Sequence, residues 1–194
     1  VNLATCSFTM DQNIPTSSIN FPSNGGFVRD ISTGVNPITG SFTDTGAANK
    51  GSVTSIQIGI RELALGQWWN GTDSFNQPNP PNTSDTTVSL WTSSWTYIKI
   101  STANMTSGTS YYITVRALDN ASPPNDEGLY SVRSVTFTYD SGAPARFVQA
   151  PADGMYFNNS IGLTISGTAQ DDLSGLQGVQ VSVKDVTATK WWTG

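Results

Sequence analysis

Cys6-Ser7-Phe8-Thr9-Met10-Asp11 near the start of the chain and Val135-Thr136-Phe137-Thr138-Tyr139-Asp140 towards its end open the same pattern twice. The first run is followed by Pro15 and then by Phe21-Pro22-Ser23-Asn24-Gly25. The second is followed by Pro144 and then by Ala150-Pro151-Ala152-Asp153-Gly154. Asp11 and Asp140, Pro15 and Pro144, Pro22 and Pro151, and Gly25 and Gly154 all stand at one constant offset. Self-similarity at a fixed period is the signature of a repeated structural unit.

The match runs on with small gaps. Ile38-Thr39-Gly40-Ser41-Phe42-Thr43-Asp44 pairs with Ile165-Ser166-Gly167-Thr168-Ala169-Gln170-Asp171. Ile56, Ile58, Ile60, Arg61 and Glu62 pair with Val179, Val181, Val183, Lys184 and Asp185, and Trp68-Trp69-Asn70-Gly71 with Trp191-Trp192-Thr193-Gly194. These pairs divide the chain. Residues 1–11 read as the last strand of a preceding repeat, 12–142 as one complete repeat, and 143–194 as the first half of the next, in a piece of a longer protein. Half a sandwich exposes an apolar face and open strand edges, which are poorly stable in water. The last segment is therefore expected to pack on a neighbouring repeat or be completed by another copy through strand addition.

Period-two alternation between turn residues marks strands over Val53–Arg61, Val88–Ile100, Tyr111–Ala117 and Val132–Tyr139. Ile113, Val115 and Ala117 are expected to face inward, and Ile56, Ile58 and Ile60 form a second apolar face. Asn24-Gly25-Gly26, Asn36-Pro37, Asn70-Gly71, Pro80-Pro81-Asn82 and Pro123-Pro124-Asn125 supply turn chemistry between them. The stretch Thr72–Thr87, rich in Pro and Asn, reads as a long loop. No segment carries a helical period, so the fold class is all-β: antiparallel sandwich repeats, one complete and one or two partial.

Val115-Arg116-Ala117-Leu118-Asp119-Asn120-Ala121, the linker Asp140-Ser141-Gly142-Ala143-Pro144, the run from Ser166 to Gly175 and the pair Trp191-Trp192 follow one another between residues 115 and 192. In this order they resemble the bacterial immunoglobulin-like tandem repeats of large surface or secreted proteins. The resemblance implies an immunoglobulin-like sandwich and an extracellular spacer or adhesive role, and it carries no shared catalytic residues.

Composition narrows the function classes. Of 194 residues 37% are hydrophobic and only 12% charged, which suits pleated, half-buried β-structure. A net charge of −5 argues against nucleic acid, which needs a basic stripe to neutralise phosphates. Histidine is absent, which removes the commonest general base and every Ser-His or Cys-His arrangement. The chain is accordingly read as no enzyme, with part of a secreted glycoside hydrolase as the distant alternative, because that chemistry needs two opposed carboxylates and acidic residues are scattered among several loops. Cys6 has no internal disulfide partner, which leans towards a bacterial or archaeal exoprotein. No signal peptide and no transmembrane segment is legible.

Hard oxygen donors gather at Asp119, Asn120, Asn125, Asp126 and Glu127, and at Asp44, Asp171 and Asp172. They read either as calcium ligands or as turn-capping side chains. Asp11 and Asp140 stand where one repeat joins the next, a place where an ion stiffens an array. Trp69 and Trp95 are candidates for glycan stacking, but the recurrence of Trp68-Trp69 as Trp191-Trp192 favours a scaffold role, with adjacent side chains on opposite faces. The expectation is a structural or spacer repeat of an adhesin, surface layer or filament. A carbohydrate- or ligand-binding module is the alternative, with neighbouring repeats, copies of itself, or a surface glycan or protein as partners.

Overall fold

The computed structural model describes residues 4–32, 34–46, 50–80, 88–128, 134–158 and 162–193. It is all-β, and the chain divides into two compact units, Val1–Ser141 and Gly142–Gly194. The first unit holds β1 (Thr16–Phe21), β2 (Gly26–Val28), β3 (Ile38–Thr43), β4 (Val53–Glu62), β5 (Gln67–Trp69), β6 (Phe75–Gln77), β7 (Val88–Leu90), β8 (Ser94–Tyr97), β9 (Ser110–Asp119) and β10 (Ser134–Tyr139). A short 3-10 turn spans Thr102–Asn104.

One sheet runs β1-β3-β8-β7 and the other β2-β10-β9-β4-β5-β6. Every pairing is antiparallel except β2 on β10. The two sheets close on one core. Ile56, Ile60, Ile113, Val115, Ala117 and Phe137 come from one side, and Ile38, Trp95 and Tyr97 from the other. The expected inward set Ile113, Val115 and Ala117 is fully buried, and Ile58 packs half-buried against the same cluster. At about 25 cal/mol per Å², burying an aromatic of ~200 Å² contributes about 5 kcal/mol before the entropy of ordering it.

Two tryptophans fasten the sandwich. The Trp69 Nε1–H donates to Tyr97 Oη across the core at 3.1 Å, joining the sheets. The Trp95 Nε1–H donates to the Ser18 carbonyl at 3.1 Å. Trp68, on the opposite face from Trp69, covers Gly59 and Thr114, meets Tyr112 edge-on and carries the Arg61 guanidinium 5.8 Å above its ring.

Three segments differ from their reading in the sequence. Val88–Ile100 is not one strand but the hairpin β7–β8, closed where Trp91 N–H donates to Ser94 O at 2.8 Å. The Thr92-Ser93-Ser94 cluster is turn chemistry that outweighs the alternation around it. Thr72–Thr87 is not loop throughout, because β6 pairs with β5; residues 81–87 lie outside the described residues. Residues 4–11 form no strand, having no paired neighbour among the described residues.

The second unit contains β11 (Ala145–Ala150), β12 (Ser166–Gln170), β13 (Lys184–Asp185) and β14 (Lys190–Trp191). Its ladders copy those of the first. β1 pairs with β3 through Thr16↔Thr43, Ile19↔Gly40 and Phe21↔Thr39, with a register shift after Ile19. β11 pairs with β12 through Ala145↔Gln170, Val148↔Gly167 and Ala150↔Ser166, with the shift at the same place. Arg61↔Trp68 is repeated as Lys184↔Trp191, and the Lys184 ammonium stands 5.5 Å above the Trp191 ring. The left-handed turn residue Gly66 (φ 69°) recurs as Thr189 (φ 56°). What differs is burial. Val179, Val181 and Val183, counterparts of the Ile56–Ile60 set, are exposed, as are Trp191 and Trp192.

Candidate functional site

At one end of the first unit three chain segments bring carboxylates together. Asp44 follows β3 directly, Asp119 is the last residue of β9, and Asp11 lies in the segment leading into β1. One carboxylate oxygen from each lies within 4.8 Å of the other two.

Two of the three are held by hydrogen bonds. Asp119 Oδ1 accepts from the Ala121 N–H at 3.0 Å and the Asn125 N–H at 2.8 Å, and its Oδ2 accepts from Asn125 Nδ2 at 2.7 Å. This is the Asx-type capping that Asp favours after a strand. Asp11 Oδ1 accepts from the Asn13 amide and side chain, each at 3.0 Å, and its Oδ2 accepts from the Gly51 N–H. Asn125 Nδ2 also donates to the Asp11 carbonyl at 3.2 Å, tying the incoming segment to the loop after β9. A β carbon on Gly51 would stand 2.3 Å from Asn120 Oδ1 and 2.8 Å from Asp11 Oδ2, so a larger residue there would displace both side chains from their present hydrogen bonds.

Asp44 is different. It is 7% exposed, and neither carboxylate oxygen has a hydrogen-bond partner. Burial raises its pKa above the ordinary value, and the neighbouring Asp11 and Asp119 add to the rise, with Lys50 and the adjoining Thr45 main chain opposing. Hydrogen bonds from the backbone of Asn13 and Gly51 lower that of Asp11. Lys50 Nζ donates to the Asp44 carbonyl at 3.3 Å. An ammonium against three carboxylates leaves two negative charges in one small volume.

The other candidate ligands are employed elsewhere. Asn120 Oδ1 accepts from the Ser52 N–H at 2.9 Å, holding the start of β4. Asp126 pairs with Arg116 at 2.9 Å and accepts from the Gly128 N–H. Glu127 receives the Ser17 N–H, the Ser17 hydroxyl and the Ala117 N–H, so it clamps β1 to β9. In the second unit Asp171, the counterpart of Asp44, accepts from the Leu173 N–H, Ser174 Oγ and the Gly175 N–H, and Asp172 is exposed. Of the metal candidates read from the sequence, the fold therefore gathers Asp44 and Asp119, with Asn125 holding Asp119. It adds Asp11, Lys50 and Gly51, of which only Asp11 carried a signal, its recurrence as Asp140.

The glycan candidates require correction. Trp69 is 2% exposed and Trp95 fully buried, so neither offers a face to a sugar. Both indoles are consumed by the core and by hydrogen bonds within it.

Comparisons with protein-family models, curated proteins and solved structures find no match for this chain.

Proposed function

We propose that the chain is a run of immunoglobulin-like β-sandwich repeats serving as a non-catalytic spacer in a large extracellular or cell-surface protein such as an adhesin, surface layer or filament. Residues 12–142 are one complete copy and residues 143–194 the opening strands of the next. The observation that carries this reading is the shared ladder register: β11–β12 repeats β1–β3 pair for pair, with its register shift in the same position. Strand order supports the immunoglobulin-like assignment. The sheet β1-β3-β8-β7, and the run β10-β9-β4-β5 inside the six-stranded sheet whose edges are β2 and β6, have the neighbour order that A-B-E-D and G-F-C-C′ strands would take. The burial contrast supports the partial copy, because the exposed valines and tryptophans of the second unit occupy positions whose counterparts are buried or half-buried in the first.

The test is to complete the second copy. Residues 72–142 appended after Gly194, the counterpart of Gly71, supply counterparts of β6–β10. The extended chain is expected to gain a second cooperative unfolding transition and lose binding of an apolar dye. Persistent dye binding with a single transition overturns the repeat reading. Antibody labelling of intact cells checks the surface placement, and labelling only after lysis overturns it.

A further inference from the structure

We propose that Asp11, Asp44 and Asp119 form a calcium site that locks the segment leading into β1 onto the ends of β3 and β9. The proposal stands on two independent observations. The first is convergence: one oxygen from each carboxylate lies within 4.8 Å of the others, the span that oxygens held about 2.3–2.6 Å from one ion can reach. The second is that Asp44 is more than nine-tenths buried and both its oxygens are without a partner, although buried polar groups are nearly always satisfied. An unpaired buried carboxylate beside two others is costly unless a cation joins them.

The donor set chooses the ion. The sequence holds no histidine and Cys6 is exposed, which leaves oxygen alone and points to a hard cation. The hydrogen bonds already on Asp11 and Asp119 leave lone pairs free on each carboxylate, since an ionised carboxylate offers about four acceptor sites. Asp44 and Asp119 sit where a bound ion sheds most of its water. Magnesium dehydrates reluctantly and demands near-ideal octahedral geometry, whereas calcium accepts irregular oxygen cages. The net charge of the three carboxylates and Lys50 matches a divalent ion. The consequence is mechanical. Asp11 belongs to the incoming segment and Asp44 and Asp119 to the two sheets, so one ion couples all three.

The test uses the whole chain and calcium chloride itself. Wild type and Asp44→Asn are melted in chelator, in calcium and in magnesium, with calorimetric titration of calcium into each. Wild type is expected to melt about 5 °C or more higher in saturating calcium than in chelator, with a clearly smaller shift in magnesium. Asp44→Asn is expected to lose the calcium increment and, in chelator, to melt at or above wild type, because it removes one of three repelling charges. Calcium is also expected to slow chymotryptic cleavage at the exposed Phe8 in wild type alone. The proposal is overturned by a wild-type melt indifferent to calcium without binding heat, by equal calcium shifts in both proteins, or by equal shifts in magnesium and calcium.

Discussion

The Trp95 indole packs against Gly40, so close that a β carbon on that glycine would stand 2.3 Å from the ring and 2.0 Å from the Ser18 carbonyl. The same carbonyl accepts the Trp95 Nε1–H at 3.1 Å. Glycine, tryptophan and the β1 backbone thus form one layer of the core. Gly167 has the same relation to the Phe147 carbonyl, at 2.3 Å, but no indole covers it. Gly40→Ala is expected to cost at least ~3 kcal/mol through overpacking against backbone that cannot yield. Trp95→Ala is expected to cost ~3–5 kcal/mol through the cavity it leaves. Urea unfolding followed by fluorescence measures both.

Glu127 offers a second test. Its carboxylate accepts the Ser17 N–H at 2.7 Å and the Ala117 N–H at 2.8 Å, so it satisfies main-chain donors from both sheets. Glu127→Ala strands two amides, and unpaired donors cost about 1–3 kcal/mol each. A loss of ~2–4 kcal/mol in chemical denaturation is expected, with Glu127→Gln milder because it keeps acceptor oxygen. Neither variant is expected to alter the calcium response, since Glu127 lies outside the carboxylate cluster.

The two Trp-Trp pairs separate local register from burial. Trp68 is 5% exposed, whereas its counterpart Trp191 is 58% exposed. Trp68→Ala is expected to destabilise the first unit by ~3–5 kcal/mol, and Trp191→Ala to change the unfolding free energy by less than ~0.5 kcal/mol. Comparable effects from the two substitutions would show that Trp191 is covered in solution.

Tyr111 contributes to the alkaline limb of the stability profile. Burial holds its phenol above the usual value of 10.0, while the Thr106 amide, donating to its oxygen at 2.9 Å, pulls the other way. The folded protein therefore keeps this proton after the unfolded chain has released it. The associated stability is complete below about pH 10 and is lost as pH rises through the folded value. Tyr111→Phe retains the stacking on Phe137. It is expected to flatten the alkaline limb of the stability profile and to cost about 1 kcal/mol at neutral pH for the lost bond.

Much of the architecture was legible because β-structure leaves a period of two. Ile113, Val115 and Ala117 alternate with bulkier or polar neighbours, and all three are core. The alternation misled at Val88–Ile100, where Leu90 and Trp95 pair across a hairpin. A turn made of Thr and Ser carries no Gly or Pro to announce it. The candidate site was half visible. Asp44 and Asp119 stood out as oxygen donors, but so did Asp126 and Glu127, which the fold spends on Arg116 and on clamping β1 to β9.

The linear chain by itself determined the repeat, the strand faces and the paired tryptophans, because these depend on residues near one another and on a pattern that recurs. Only the tertiary structure decided which carboxylates meet. Asp11, Asp44 and Asp119 are far apart along the chain and reach one another through strand order and register. Burial likewise belongs to the fold. Asp44 is enclosed while Asp171, at the matching position of the repeat, caps an ordinary turn, and Trp69 is sealed in a core while Trp192 is exposed. Exclusion of water is a property of what packs on a residue, and that is not written in its neighbours.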